Sequence, residues 1–461
     1  MHRPAASSTS LLRPALAWLP GVVILLLAQL AQLARADASV MPHRSPHETV
    51  GTVNCASSTC HGSITPWEGS PVLQNEYTTW SRLDRHTNTF EVLKNATSAR
   101  IVRNLGYREP ATEVKICLDC HAHNPPPTQR GARFVQSEGV GCEGCHGPAG
   151  QWVTEHNVKG TTHAQNVARG LYPTDQPLAQ AKLCLSCHFG DETRFVTHRI
   201  MGAGHPRISF ELGTFSALEP AHYRIDADYE QRKGKHDPMR VWALGQALAA
   251  RQILDTLTDP KRGRDGLMPE LVLFDCHACH HPMSDKRWNP RVGVGPGRIR
   301  LNDSNLLMLR AIVRAAYPES SAAFDRAVRA THLAVSAGET EGGLEPLQVV
   351  SKLSATIGAL MPRLEQQAFP PALQRQVLVS LVDEASESSY ADYAGAEQAY
   401  MAIVNVTNDL LKQQALADTP ALKTALGDLL KTLRHDEQYA PAAFKQRLAT
   451  LRSTLGLQVR S

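Results

Sequence analysis

The sequence predicts a mainly α protein in two parts. Residues 37–300 read as a loop-rich stretch with little sheet, and residues 301–461 as an antiparallel helical bundle. Three observations predict this. All ten cysteines and most of the 20 histidines fall before residue 300. The same stretch is rich in glycine and proline and poor in long periodic runs. Beyond residue 301 cysteine disappears and apolar residues recur at helical spacing.

The chain opens on a leader. His2, Arg3 and Arg13 give a positive start, an apolar run follows from Ala15 to Leu33, and Ala34-Arg35-Ala36 reads as a cleavage site. Residues 1–36 are therefore expected to be a signal peptide removed after Ala36, and the mature protein to be periplasmic. The apolar run exceeds a typical leader core, so a retained N-terminal anchor is the alternative. That anchor is the sole membrane attachment the sequence offers. The net charge of +4 and hydrophobic fraction of 42% are ordinary for a soluble protein and point away from nucleic acid.

The cysteines come in five pairs, each followed directly by histidine. Four share a two-residue spacer: Cys117/Cys120/His121, Cys142/Cys145/His146, Cys184/Cys187/His188 and Cys276/Cys279/His280. The first, Cys55/Cys60/His61, has four intervening residues. Cys-x-x-Cys-His is the attachment signature of c-type haem. Two thiols add across the two vinyl groups, and the histidine lands beneath the iron as proximal ligand. Neither disulfides nor zinc explains a histidine after every pair, and five pairs fit closed tetrahedral sites poorly. Four haems c follow from the short motifs. A fifth follows at Cys55/Cys60/His61 if its spacer bulges; a local disulfide loop is the other reading.

Each iron has a second axial face. The candidates for it are His86, His156, His163, His198, His205 and His281. His86 follows the first motif by about one helical segment. His198 and His205 flank a short glycine-containing stretch, and Pro206 holds His205 extended. His281 directly follows a proximal ligand, so it is either exposed or turned toward a neighbouring haem. Charges such as Asp119, Glu143, Lys182 and Arg194 could order the reduction of the centres, although solvated surface charges are the commoner case.

With these residues in view, Val50-Gly51, the Cys55…His61 motif, Trp80 and His86 resemble the opening of a known tetrahaem cytochrome family. It is typified by the electron acceptor of hydroxylamine oxidoreductase, the cytochrome c-554 type. Gly139 to Pro148 resembles that family's central motif. Gly204 to Leu212 and Phe274 to Pro282 resemble segments of its larger relatives. The resemblance implies mostly bis-histidine haems packed in pairs in a mainly helical domain, with His86, His198 and His205 as distal ligands. It also implies one haem with an open sixth position. The fifth motif and the C-terminal region depart from the tetrahaem prototype, so its partner and redox role do not carry over.

The bundle is read from apolar stripes. Tyr393, Ala396, Tyr400, Ile403 and Leu410 mark one helix. Thr419-Pro420 starts another, continued by Leu422, Leu426, Leu429 and Leu433. Pro441 starts a third, with Phe444, Leu448, Leu451 and Leu455. Four to seven helices are expected. Three functions remain open. One is an electron carrier between a periplasmic dehydrogenase and a quinone-linked or terminal acceptor. Another is a non-catalytic haem subunit of a larger redox complex. The third is an enzyme acting on a small nitrogen or sulfur compound at a five-coordinate haem.

Overall fold

The computed structural model describes residues 40–280, 299–338, 340, 343–384 and 390–457. The predicted leader 1–36 and the candidate His281 lie outside them. The fold is mainly α, as expected. Among the described residues the sheet is a single antiparallel pair, β1 (Arg264–Asp265) with β2 (Met268–Pro269). No helix among them is long and apolar enough to cross a membrane.

The first half is a string of short helices joined by turns. These are α1 (Glu76–Leu83), α2 (Ala96–Asn104), α3 (Lys115–His121), α4 (Cys142–His146), α5 (His163–Ala168), α6 (Pro177–His188), α7 (His198–Gly202), α8 (Leu212–Leu218) and α9 (Ala227–Lys233). Local caps start several of them. Asn95 accepts from Ser98 N at α2, Thr162 and Gln165 form a capping box at α5, and Thr197 and Asp226 cap α7 and α9. Apolar packing here is modest, a small cluster around Phe90, Leu93, Val102 and Leu118.

The second half is a helical bundle. Helix α10 (Pro238–Thr258) starts at Asp237, whose side chain accepts from Arg240 N, with proline at the first helical position. After it come α11 (Ser304–Ala316), α12 (Pro318–Ala337), α13 (Pro346–Gln366), α14 (Pro371–Asp383), α15 (Tyr393–Lys412), α16 (Pro420–Lys431) and α17 (Pro441–Thr454). The predicted stripes face inward: Ala396, Ile403, Leu410, Leu429, Phe444 and Leu451 are fully buried. Each large one contributes about 1.5–3 kcal/mol. Thr419 accepts from Leu422 N, as its capping role requires.

The packing begins before residue 301. Helix α10 is the central member, lying against α6, α11 and α13. Most of its length is covered, and Trp242, Leu244 and Leu254 are fully buried, while the Arg251–Asp255 pair stays part-exposed. One continuous core runs from Ala181 and Leu185 of α6 to Leu455. Buried polar groups sew the halves together. Gln398 of α15 donates to Phe210 O at 2.8 Å, and Gln246 of α10 donates to Glu211, the cap of α8, at 3.5 Å.

Candidate haem centres

The motifs take the geometry their spacing dictates. In α3, α4 and α6 the two cysteines and the histidine close the last turn of the helix, at positions i, i+3 and i+4 of one face. The last motif forms a 3-10 turn over Cys276–Ala278. Asp275 accepts from His277 N, and His280 N donates to Cys276 O at 2.8 Å. The first motif reaches the same register by a bulge. His61 N donates to Cys55 O at 3.1 Å, while Cys60 N and Gly62 N both donate to Ser57 O, at 2.9 and 2.8 Å. The extra residues are looped out. Gly62 is required there, since a Cβ would lie 1.9 Å from Ala56 O. None of the ten cysteines is paired in a disulfide. Cys55 and Cys142 lie within hydrogen-bonding reach of each other, as do Cys120 and Cys187.

The first four motifs surround one cavity of about 2440 Å³, lined by all eight of their cysteines and all four of their histidines. A small-molecule pocket measures roughly 300–1,000 Å³. Across this space the histidines face one another. His61 stands opposite His156 with ring centroids 6.1 Å apart, His121 opposite His205 at 6.4 Å, His146 opposite His222 at 6.1 Å, and His188 opposite His86 at 6.2 Å. The fifth motif repeats the arrangement with His280 and His198 at 6.1 Å. It sits against the bundle, where His277 meets the Tyr393 ring of α15 at 6.2 Å. Histidine nitrogens bind a transition metal at about 2.0–2.1 Å, so two imidazoles on opposite sides of one ion bring their centroids roughly 6 Å apart.

Hydrogen bonds aim the rings. His61 Nδ1 donates to Glu76 at 2.9 Å, His86 Nδ1 to Asp84 at 2.8 Å, and His121 Nδ1 to Thr89 O at 3.0 Å. His156 Nδ1 donates to Val153 O at 2.6 Å and His205 Nδ1 to Pro206 O at 2.8 Å. Each leaves Nε2 free to face inward, the outer-shell pattern of metal-bound histidine. Burial pushes the rings of His146 and His188 down to about 4, which keeps them in the neutral, ligating form. The carboxylates of Glu76 and Asp84 act the other way and raise His61 and His86.

Haem c fits this set of residues. Beyond thiols and facing imidazoles, buried Trp152 Nε1, Arg169 Nη1 and Arg300 Nη1 have no hydrogen-bond partner among the described residues. Propionate oxygens are acceptors of the kind such donors need.

The structure gives the remaining residues singled out in the sequence definite surroundings. His163, a candidate distal ligand, places Nε2 3.0 Å from Asp175 Oδ1. The ring facing His146 is His222, which lay outside the six candidates. It follows Glu219-Pro220-Ala221 in a loop that carries no motif, so no local signal set it apart. The ten motif cysteines differ in burial. Cys279 is exposed, whereas the other nine are part-buried. Every motif histidine meets a second histidine ring. Glu143 is not a solvated charge. It is buried and accepts from Val50 N, Gly51 N and Ala149 N at 2.7–2.8 Å, tying the first motif's approach to the third motif.

These features define a haem c-type cytochrome of mainly α fold that serves electron transfer. Residues 54–147 match the family model of cytochrome c554 and c-prime, and this part of the chain is similar to that family of haem c-type cytochromes. No curated protein and no solved structure matches the chain.

Proposed function

We propose that the protein is a periplasmic electron relay carrying five covalently bound haems c, each held between two histidines. The observation that carries this reading is the set of five facing histidine pairs at 6.1–6.4 Å, each containing one motif histidine. The ligand pairs are His61/His156, His121/His205, His146/His222, His188/His86 and His280/His198, and the ten motif cysteines supply the thioether bonds. Haem supplies reversible one-electron chemistry. The protein's own residues hold, orient and desolvate it.

The thiol contacts Cys55/Cys142 and Cys120/Cys187 bring attachment points one and three together, and likewise two and four. His198 and His205 then place centres five and two at the two ends of one short segment. Adjacent centres suit onward transfer between two redox proteins, a periplasmic dehydrogenase and a quinone-linked or terminal acceptor. An enzyme of small nitrogen or sulfur compounds needs a motif histidine with an open opposite face, and the pairing argues against one.

Two measurements on the purified protein test this. A pyridine haemochrome assay should count five haems per chain, and carbon monoxide should leave the reduced spectrum unchanged. A count of four, or a carbon monoxide change worth one haem, overturns the five-centre bis-histidine reading. The variant His222→Ala should gain carbon monoxide binding equivalent to one haem.

A further inference from the structure

We propose that Glu76 and Asp84 are redox-positioning residues that hold the first and fourth centres at lower potential than the second. This inference rests on the ligand pairs above. At the first centre His61 Nδ1 donates to Glu76 Oε2 at 2.9 Å, and the Glu76 side chain is only 19% exposed. At the fourth, His86 Nδ1 donates to Asp84 Oδ1 at 2.8 Å, with Asp84 10% exposed. A second carboxylate, Glu219, joins this group, its oxygen within 4.8 Å of an Asp84 carboxylate oxygen and a His86 ring nitrogen. The second centre is built differently. Both of its rings donate to main-chain carbonyls, His121 to Thr89 O at 3.0 Å and His205 to Pro206 O at 2.8 Å.

The difference has a definite sign. A carboxylate accepting the Nδ1 proton makes the opposite nitrogen a stronger donor. It also adds a full negative charge next to the ligand, in surroundings where partial burial limits screening. Reduction adds one electron from the redox partner to the ferric ion and breaks no bond. The added negative charge is opposed by the carboxylate, so the ferric form is favoured. A neutral carbonyl gives the first effect weakly and lacks the second. Electrons entering the array therefore settle first on the second centre, ahead of the first and fourth.

The test is a spectroelectrochemical titration of the intact holoprotein and of Glu76→Gln and Asp84→Asn. Both substitutions keep an oxygen for the local backbone bonds to Gln74 N and His86 N. Electron paramagnetic resonance tells the two centres apart, because their ring planes differ, 20° at the first and 83° at the fourth. Each variant should keep five low-spin haems and raise one midpoint, by about tenfold in the one-electron equilibrium, or 59 mV. The raised midpoint should belong to the near-parallel centre in the Glu76→Gln variant and to one of the three near-perpendicular centres in the Asp84→Asn variant. Unchanged midpoints with all haems low-spin overturn the proposal and leave the carboxylates a purely steric role. If either variant loses its haem, the other decides. The ligand reading fails separately: His156→Ala must cost the first centre its low-spin signal, and a retained signal removes the basis for the argument.

Discussion

The two halves of the molecule fill their interiors with different material. In residues 238–457 the interior is made of the chain's own side chains. Trp242, Leu244, Met308, Ile312 and Ile357 are fully buried in one continuous core. In residues 40–236 the apolar cluster is small, and the space among four motifs is walled by thiols and imidazoles. The comparison teaches where stability resides. The bundle draws it from packed hydrocarbon, which needs no partner. The motif region depends on a covalently held group to bring its short helices together, because its ordering entropy exceeds what a small cluster offsets. Helix α6 belongs to both, carrying Cys184, Cys187 and His188 while its Ala181 and Leu185 pack in the bundle core.

Removing the haem should break the symmetry most. A chain produced without haem attachment should lose ordered structure across residues 40–236 and keep the bundle. Limited proteolysis with mass spectrometry should then recover a resistant fragment starting near Asp237. Equal survival of both halves would show that the motif region folds on its own. The converse perturbation is Trp242→Ala, which empties a fully buried site in α10. It should cost about 3–5 kcal/mol in the thermal or denaturant transition of the bundle. The haem spectrum at room temperature should stay as in the parent protein, and a changed Soret band would sink the separation of roles.

A smaller effect is expected at Asp191, which ties the N-terminal segment to the loop after the fourth motif. Its carboxylate meets His43 Nε2 at 2.9 Å and accepts from Thr193 N and Oγ1 at 2.7 Å. Burial pushes this carboxyl up, but the bonds from His43 and Thr193 outweigh it and hold it well below the usual range. A depressed folded-state value means that the stabilisation is present above about pH 4 and fades as pH falls below it. Asp191→Asn should cost about 1–3 kcal/mol at neutral pH. The gap from the parent should close in acid, and a gap independent of pH would contradict the electrostatic account. The smallest change is Thr419→Ala, which removes the cap of α16 and should cost about 1 kcal/mol with no effect on any haem.

Legibility in the sequence followed the range of the interactions. The bundle helices were readable because caps and apolar stripes are local. Asp237-Pro238 carried the same starting signal for α10, but the helix's broad apolar surface, which packs against several neighbours, left no narrow stripe to mark it. The facing histidines were partly readable. His86, His156, His198 and His205 stand among the candidates, while His163 turns to Asp175 and His222 takes the place opposite His146. Burial of the thiols was not readable at all. Cys279 has the same motif neighbours as Cys120 or Cys187, yet it is the exposed one.

The sequence alone determined the chemistry of attachment and the class of fold. Two thiols and an imidazole within one turn are a covalent pattern, and helical periodicity is a local one. Only the tertiary structure decided which histidine faces which motif and which imidazoles lean on carboxylates rather than carbonyls. It also decided that the first motif's longer spacer returns to register through Ser57 and Gly62. Those outcomes depend on loops brought together over long stretches of chain, where no spacing rule operates and packing selects among many equivalent histidines.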